Sequence, residues 1–148
     1  LNRCRALIMP HDKTKQAYCD ANASTIVSCA VVVFTDSNSM PWSRWLAHGF
    51  KHCFVAIAIG AAWVVIDTLS GRTNVLTVPR CSAEDLAQWY QDQGHQTIIT
   101  QQRIAPARPA PWALLTCVEV IKRLLGIHNY RIQTPKQLSN FLNSENNP

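Results

Sequence analysis

Apolar residues run almost unbroken from 25 to 35 (TIVSCAVVVFT), and the turn-forming set 36–39 (DSNS) ends the run. A short β-branched stretch bounded in this way predicts a buried strand over 26–35. Two further apolar runs, 52–59 and 63–69, flank Gly60, Ala61 and Ala62 and predict a β-hairpin. Gly71 then turns the chain into a short strand at 74–78. Before the hairpin, 41–50 carries Trp42, Trp45, Leu46 and Phe50, which fits an irregular or briefly helical cover over one edge of the core.

Beyond residue 80 the period lengthens. Ser82 followed three residues later by Asp85 is a helix N-cap pattern, and Gly94 is suited to the position just past a C-terminus, so 83–93 is expected to be a helix with Leu86, Trp89 and Tyr90 on one face. Residues 95–103 read as a strand, and the proline-punctuated 105–111 (APARPAP) as an extended connector that cannot be helical. Thr116 and Glu119 form a second capping box ahead of Val118, Ile121, Leu124 and Leu125, closed by Gly126. Thr134 and Gln137 form a third, with Pro135 at the first helical position and Leu138, Phe141 and Leu142 on one side. Antiparallel strands in a central block with helices gathered largely at one end make an α+β fold, an antiparallel β-sheet packed against helices, rather than a parallel doubly wound one.

The 148 residues, 47% apolar and 16% charged, suit one globular domain, expected over 25–148 behind an N-terminal extension at 1–24. A chain of this size buries a core without disulfides or a structural metal. The longest apolar run, 26–34, is far shorter than the roughly 20 residues needed to cross a bilayer, so no membrane span is expected. The net charge of +5 comes from scattered Lys and Arg without a block of like charges, which fits a solvated basic surface and does not point to a nucleic-acid partner. Six cysteines, Cys4, Cys19, Cys29, Cys53, Cys81 and Cys117, contain no C-x-x-C pair or zinc spacing, so no metal is expected. Cys29 and Cys53 lie within apolar runs, as buried free thiols do, and the first thirty residues given do not read as a secretory signal, so a cytoplasmic location at synthesis is the expectation.

Candidate chemistry centres on Cys117. With Thr116 as N-cap, Cys117 is the first residue of its helix, where unpaired backbone N–H groups and the positive end of the macrodipole favour a thiolate and can face a developing oxyanion. A small apolar filler would also suit that position. A thiol nucleophile needs a base. Of the five histidines, His11, His95 and His128 are most simply surface residues and His48 has no clear place. His52 begins an apolar strand whose face continues through Phe54, Ala56 and Ala58 while Cys53, Val55 and Ile57 take the other, and the small alanines would let the Cys117 helix lie closely over the His52 face. Asp67 interrupts an otherwise apolar strand. A two-residue loop, Gly60-Ala61, would make it a diagonal neighbour of His52, whereas a three-residue loop would reverse its face.

In order and residue type, the strand histidine, neighbouring-strand aspartate and helix-start cysteine resemble the circularly permuted papain-like thiol hydrolases of the NlpC/P60 group, relatives of lecithin retinol acyltransferase among them. The resemblance covers roughly 52–142. The segments 50–54 (FKHCF), 65–68 (VIDT), 116–126 (TCVEVIKRLLG) and 134–138 (TPKQL) are also similar to small uncharacterised proteins of tailed bacteriophages and prophages. The resemblance implies Cys117 as nucleophile, His52 as general base and Asp67 as the group that orients the imidazole. It departs from the pattern in having Thr116 where the acyltransferase relatives often have Asn, and Asp67 where many NlpC/P60 enzymes have His. It implies a cofactor-free hydrolase or acyl transferase at an amide or acyl bond, while the substrate class does not carry over, since permuted members act on peptide amides, on acyl lipids or on nothing at all; a peptide or peptidoglycan stem is the first substrate expected, with a role in a phage virion, tail or lysis, and an ordinary host hydrolase is the other setting. The rival it leaves open is a non-catalytic virion or assembly protein of the same fold, with Trp42, Trp45 and Trp112 at an interface to other phage structural proteins.

Overall fold

The computed structural model describes residues 28–36, 46–69, 71–107, 109 and 112–146. The expected extension at 1–24, the start of the first strand, Trp42 and Trp45 therefore lie outside the described residues. Within them the elements are β1 (Cys29–Thr35), β2 (His52–Ile59), β3 (Ala62–Leu69), β4 (Arg72–Pro79), α1 (Ala83–Gln91), β5 (Gln96–Gln101), α2 (Cys117–Leu124) and α3 (Pro135–Asn146). The strands form one five-stranded sheet in the order β4-β3-β2-β1-β5, with antiparallel neighbours throughout. The α+β class and the antiparallel sheet packed against helices are as the sequence pattern implies. No helix among the described residues is long and apolar enough to cross a membrane.

The helices cover both faces of the sheet rather than gathering at one end. β1 explains why: all seven of its residues are buried, so neither of its faces can be left to solvent. On one side Ala30, Val32, Phe34, Val55 and Ile57 pack with Val118 and Ile121 of α2 and Leu138 and Leu142 of α3. On the other, Val31, Val33, Ala56 and Ala58 pack with Trp63, Val65 and the α1 residues Leu86, Ala87 and Tyr90. Trp63 is almost fully buried and its indole N–H donates to the Cys81 carbonyl at 3.0 Å, so the largest core side chain leaves no unsatisfied donor. β4 forms one edge and is mostly exposed.

Local signals set most element ends. Ile59 pairs with Ala62, so the hairpin turns on Gly60-Ala61, the two-residue loop. Ser82 Oγ accepts from the Asp85 N–H at 3.0 Å, and the third capping box closes in both directions: Gln137 N–H donates to Thr134 Oγ1 and Thr134 N–H to Gln137 Oε1. The expected strand at 74–78 is longer, because β4 pairs with β3 over its whole length from Leu69–Arg72 to Ala62–Pro79. Conversely, the strand expected at 95–103 stops at Gln101. Arg103 N–H then donates to the Leu125 carbonyl and the Gln102 side chain to the Leu124 carbonyl, which ties the end of α2 to the strand exit. Gly126 makes this close approach possible: it has φ +70°, and a Cβ there would run into the Arg103 carbonyl.

Candidate active site

Cys117 owes its place to the α2 start. Thr116 is extended (φ −97°, ψ 168°) and its Oγ1 accepts from the Glu119 N–H at 3.3 Å, the N-cap geometry expected. The capping box itself is only half made. Glu119 turns inward instead of reaching back, its carboxylate 2.7 Å from Lys122 Nζ and 3.0 Å from Arg123 Nε. Lys122 also donates to the Ile132 carbonyl at 3.1 Å, so this buried ion pair joins α2 to the loop ahead of α3. Burial alone would raise the Glu119 carboxyl, but the Lys122 and Arg123 hydrogen bonds and charges outweigh it and hold it below the ordinary range.

His52 is the first residue of β2, opposite Thr35 of β1, and only 5% exposed. Its Nε2 lies 2.7 Å from Asp67 Oδ1. The β2–β3 ladder runs from Val55–Ile66 to Ile59–Ala62, and His52 and Asp67 lie just beyond its open end, where the register set by the two-residue turn carries them together. The carboxylate in the apolar strand thus has a partner. With Nε2 engaged by Asp67, Nδ1 is the ring nitrogen left for the hydrogen bond that His52 shares with Cys117.

The Cys117 helix does not lie over the Phe54-Ala56-Ala58 face as expected. It packs on the opposite one, against Cys53, Val55 and Ile57. The small alanines do admit a helix closely, but that helix is α1: Tyr90 meets Phe54 edge-on with ring centroids 5.3 Å apart. His52 still reaches Cys117 because it stands at the very start of β2. Its sequence neighbour Cys53 reaches the same sulfur, through both its thiol and its backbone N–H.

These contacts set the ionisation of the site. The Cys53 thiol hydrogen bond is the largest influence on Cys117; burial opposes it, and the His52 hydrogen bond and charge and the Cys53 backbone N–H add to it, bringing the Cys117 thiol down to about 4. For His52, burial is the largest influence and acts downward, but hydrogen bonds and charge from Cys117 and Asp67 prevail and the imidazole is raised. Both directions favour a thiolate–imidazolium pair at neutral pH.

The protein-family models, the curated proteins and the solved structures contain no match to this chain. What the site can do follows from its own chemistry. Cys117 opens on a cleft of about 490 Å³ lined by, among others, Lys51, Trp112, Leu114, Ile127, Tyr130 and Ile132. A carbonyl group lying in the cleft would meet a thiolate paired with an imidazolium, a pairing suited to acyl transfer. No group of three or more His, Cys, Asp or Glu among the described residues is placed to hold a metal ion.

Of the remaining histidines, His11 lies outside the described residues, and His48 is exposed, 2.9 Å from Asp36 Oδ2. His95 lies near Tyr90. His128 is not the surface residue expected: it lines the cleft and its Nδ1 is buried. Cys53 was not anticipated as a site residue. Strand alternation assigns it to the face opposite His52, and its one sequence signal is adjacency to His52 in FKHCF.

Proposed function

We propose that the protein is a cysteine-dependent hydrolase or acyl transferase acting on an amide or acyl bond, on a scaffold related to the circularly permuted NlpC/P60 papain-like fold. The observation that carries this reading is the relay itself: one buried imidazole hydrogen-bonded to a helix-start thiol on one side and, at 2.7 Å, to a carboxylate on the other. Cys117 is the nucleophile, His52 the general base and acid, and Asp67 the orienting group that holds Nε2–H and so leaves Nδ1 facing the sulfur.

In this mechanism the Cys117 proton resides on His52 Nδ1. The thiolate attacks the substrate carbonyl carbon, the C=O electrons move to oxygen, and the Cys117 backbone N–H at the helix start donates to the oxyanion. Collapse of the tetrahedral adduct breaks the bond to the leaving group, which takes the proton from His52, and a Cys117 thioester remains. Water, deprotonated by His52, attacks the thioester and releases the acid and the thiol; an amine or alcohol in place of water gives transfer. No step calls for a cofactor. A peptide or peptidoglycan stem is the substrate assigned, and cytoplasmic synthesis followed by incorporation in a phage virion is the setting. The alternative, a non-catalytic virion or assembly protein, is favoured by one observation: Trp112 at the cleft mouth is 89% exposed, as an interface anchor would be.

The test is a hydrolysis assay on peptide and peptidoglycan-stem libraries with wild type, Cys117→Ala and Asp67→Asn, beside labelling by an electrophilic thiol probe. The enzyme reading expects Cys117-dependent turnover, selective labelling of Cys117, and a loss of turnover by orders of magnitude in Asp67→Asn with the fold kept. Absence of Cys117-dependent turnover on any acyl or amide substrate would replace it by the assembly reading.

A further inference from the structure

Two thiols meet at the centre of the site, and the mechanism above uses one. Cys53 is fully buried, the second residue of β2, opposite Phe34 of β1. Cys117, the first residue of α2, packs on the same apolar cluster, and the Cys53 thiol and backbone N–H are among the influences that hold the Cys117 thiol low. The dipeptide His52-Cys53 therefore surrounds one sulfur with an imidazole, an amide N–H and an S–H.

We propose that Cys53 is a positioning residue of the nucleophile: its buried thiol donates S–H to Cys117 Sγ and, with its own backbone N–H, holds the thiolate in place beside His52. This rests on Cys117 being the nucleophile. The two sulfurs divide the roles by environment. Cys53 sits in the core with no route to a substrate, and burial, followed by the hydrogen bond and the negative charge of Cys117, raises its thiol well above the ordinary range, so it stays protonated as a donor. Cys117 faces the cleft and carries the charge. Vicinal dithiol motifs use a second thiol in the same way to stabilise an attacking thiolate, and here the second thiol comes from a strand distant in sequence. Because His52 and Cys53 are consecutive, one strand start delivers the base and the donors, and the strand pairing fixes both relative to α2.

The experiment measures the rate of Cys117 alkylation by iodoacetamide against pH in the folded full chain, with the modified peptide quantified by mass spectrometry. Wild type, Cys53→Ala, Cys53→Val, Cys53→Ser and His52→Ala are compared, with a thermal melt of each. Ala and Val remove the donor with opposite effects on packing; Ser restores an O–H donor. Loss of the S–H should move the alkylation midpoint upward by about one pH unit in Cys53→Ala and in Cys53→Val, an approximately tenfold loss of reactive thiolate on the acid side, and Cys53→Ser should return most of it. If either apolar variant does not fold, the other is read. An unchanged midpoint in a folded apolar variant, with wild-type Cys117 still reacting in acid, overturns the role of Cys53 and leaves the nucleophile standing. An ordinary thiol midpoint for wild-type Cys117 removes the nucleophile, and the role of Cys53 with it. Equal shifts in Ser, Ala and Val also overturn the proposal, since packing and not the donor would then be responsible.

Discussion

Glu119 and Lys122 form an ion pair whose two side chains are only 7% and 5% exposed, one turn beyond Cys117, with Oε2 and Nζ 2.7 Å apart. Burying two charges costs several kcal/mol each in desolvation, which their attraction roughly offsets, so the pair adds little net stability, yet removing one member leaves the other charged and unpaired. Glu119→Ala should therefore cost about 3–5 kcal/mol. Arg123 is no substitute partner for Lys122, being itself a cation. Glu119→Gln keeps an acceptor for the ammonium and should cost less, about 1.5–3 kcal/mol. In Glu119→Leu/Lys122→Met both charges go, but the Ile132 carbonyl loses its Lys122 donor, a penalty of about 1–3 kcal/mol, so the double variant should fall between wild type and Glu119→Ala. Urea melts at pH 7 read these differences as shifts in midpoint at constant slope. The pH dependence follows from the depressed Glu119 carboxyl. Its contribution is fully present above the ordinary carboxylate value and is lost as pH falls through the lower folded value, so wild type should lose stability in acid relative to Glu119→Gln. A double variant as unstable as Glu119→Ala, or a Glu119→Ala cost below 1 kcal/mol, would refute the claim that an unpaired buried ammonium is what α2 cannot tolerate.

Three further outcomes are expected. Gly126→Ala should lose more than about 2 kcal/mol, combining a left-handed backbone with the clash on the Arg103 carbonyl, whereas Gly60→Ala, also left-handed but with open space around it, should lose about 1 kcal/mol; thermal melts of the two compare them directly. Ala56→Leu should cost about 1–3 kcal/mol by overpacking against α1 while leaving the pH profile of Cys117 alkylation unchanged, because that face carries α1 and not α2. His52→Ala should move the Cys117 alkylation profile to higher pH, since the imidazolium is then missing while the Cys53 donors remain, and Cys117→Ser should remove the fast phase entirely; a fast phase surviving in Cys117→Ser would place the reactive thiol elsewhere.

Much of this architecture is legible in the chain itself. Side-chain period and capping chemistry are local properties, and they sufficed for β1, for a hairpin about Gly60, Ala61 and Ala62, for the Ser82, Thr116 and Thr134 helix starts, and for the antiparallel character of the sheet, while the choice of the two-residue turn came from the strand pairing. The juxtaposition of His52 with Asp67 was also within reach, because a two-residue turn fixes a hairpin register, and the register decides which side chains become neighbours. What needed the tertiary structure was the side of the sheet each helix takes. Both faces of β1 and β2 are apolar, so the pattern contains no preference between them; chain connectivity and the competition of α1 for the alanine face settle it. The same holds for Glu119, whose place in a capping box gave a local reason for its identity until a lysine one turn on and a buried carbonyl from the next loop claimed its carboxylate instead. Cys53 is the clearest case. Alternation along an isolated strand turns it away from its neighbour His52, and only the arrival of the α2 start at the end of β2 brings both residues to one sulfur. Helix-to-sheet packing joins residues distant in sequence, and its choices depend on the volume and charge of everything else in the core, which no local pattern encodes.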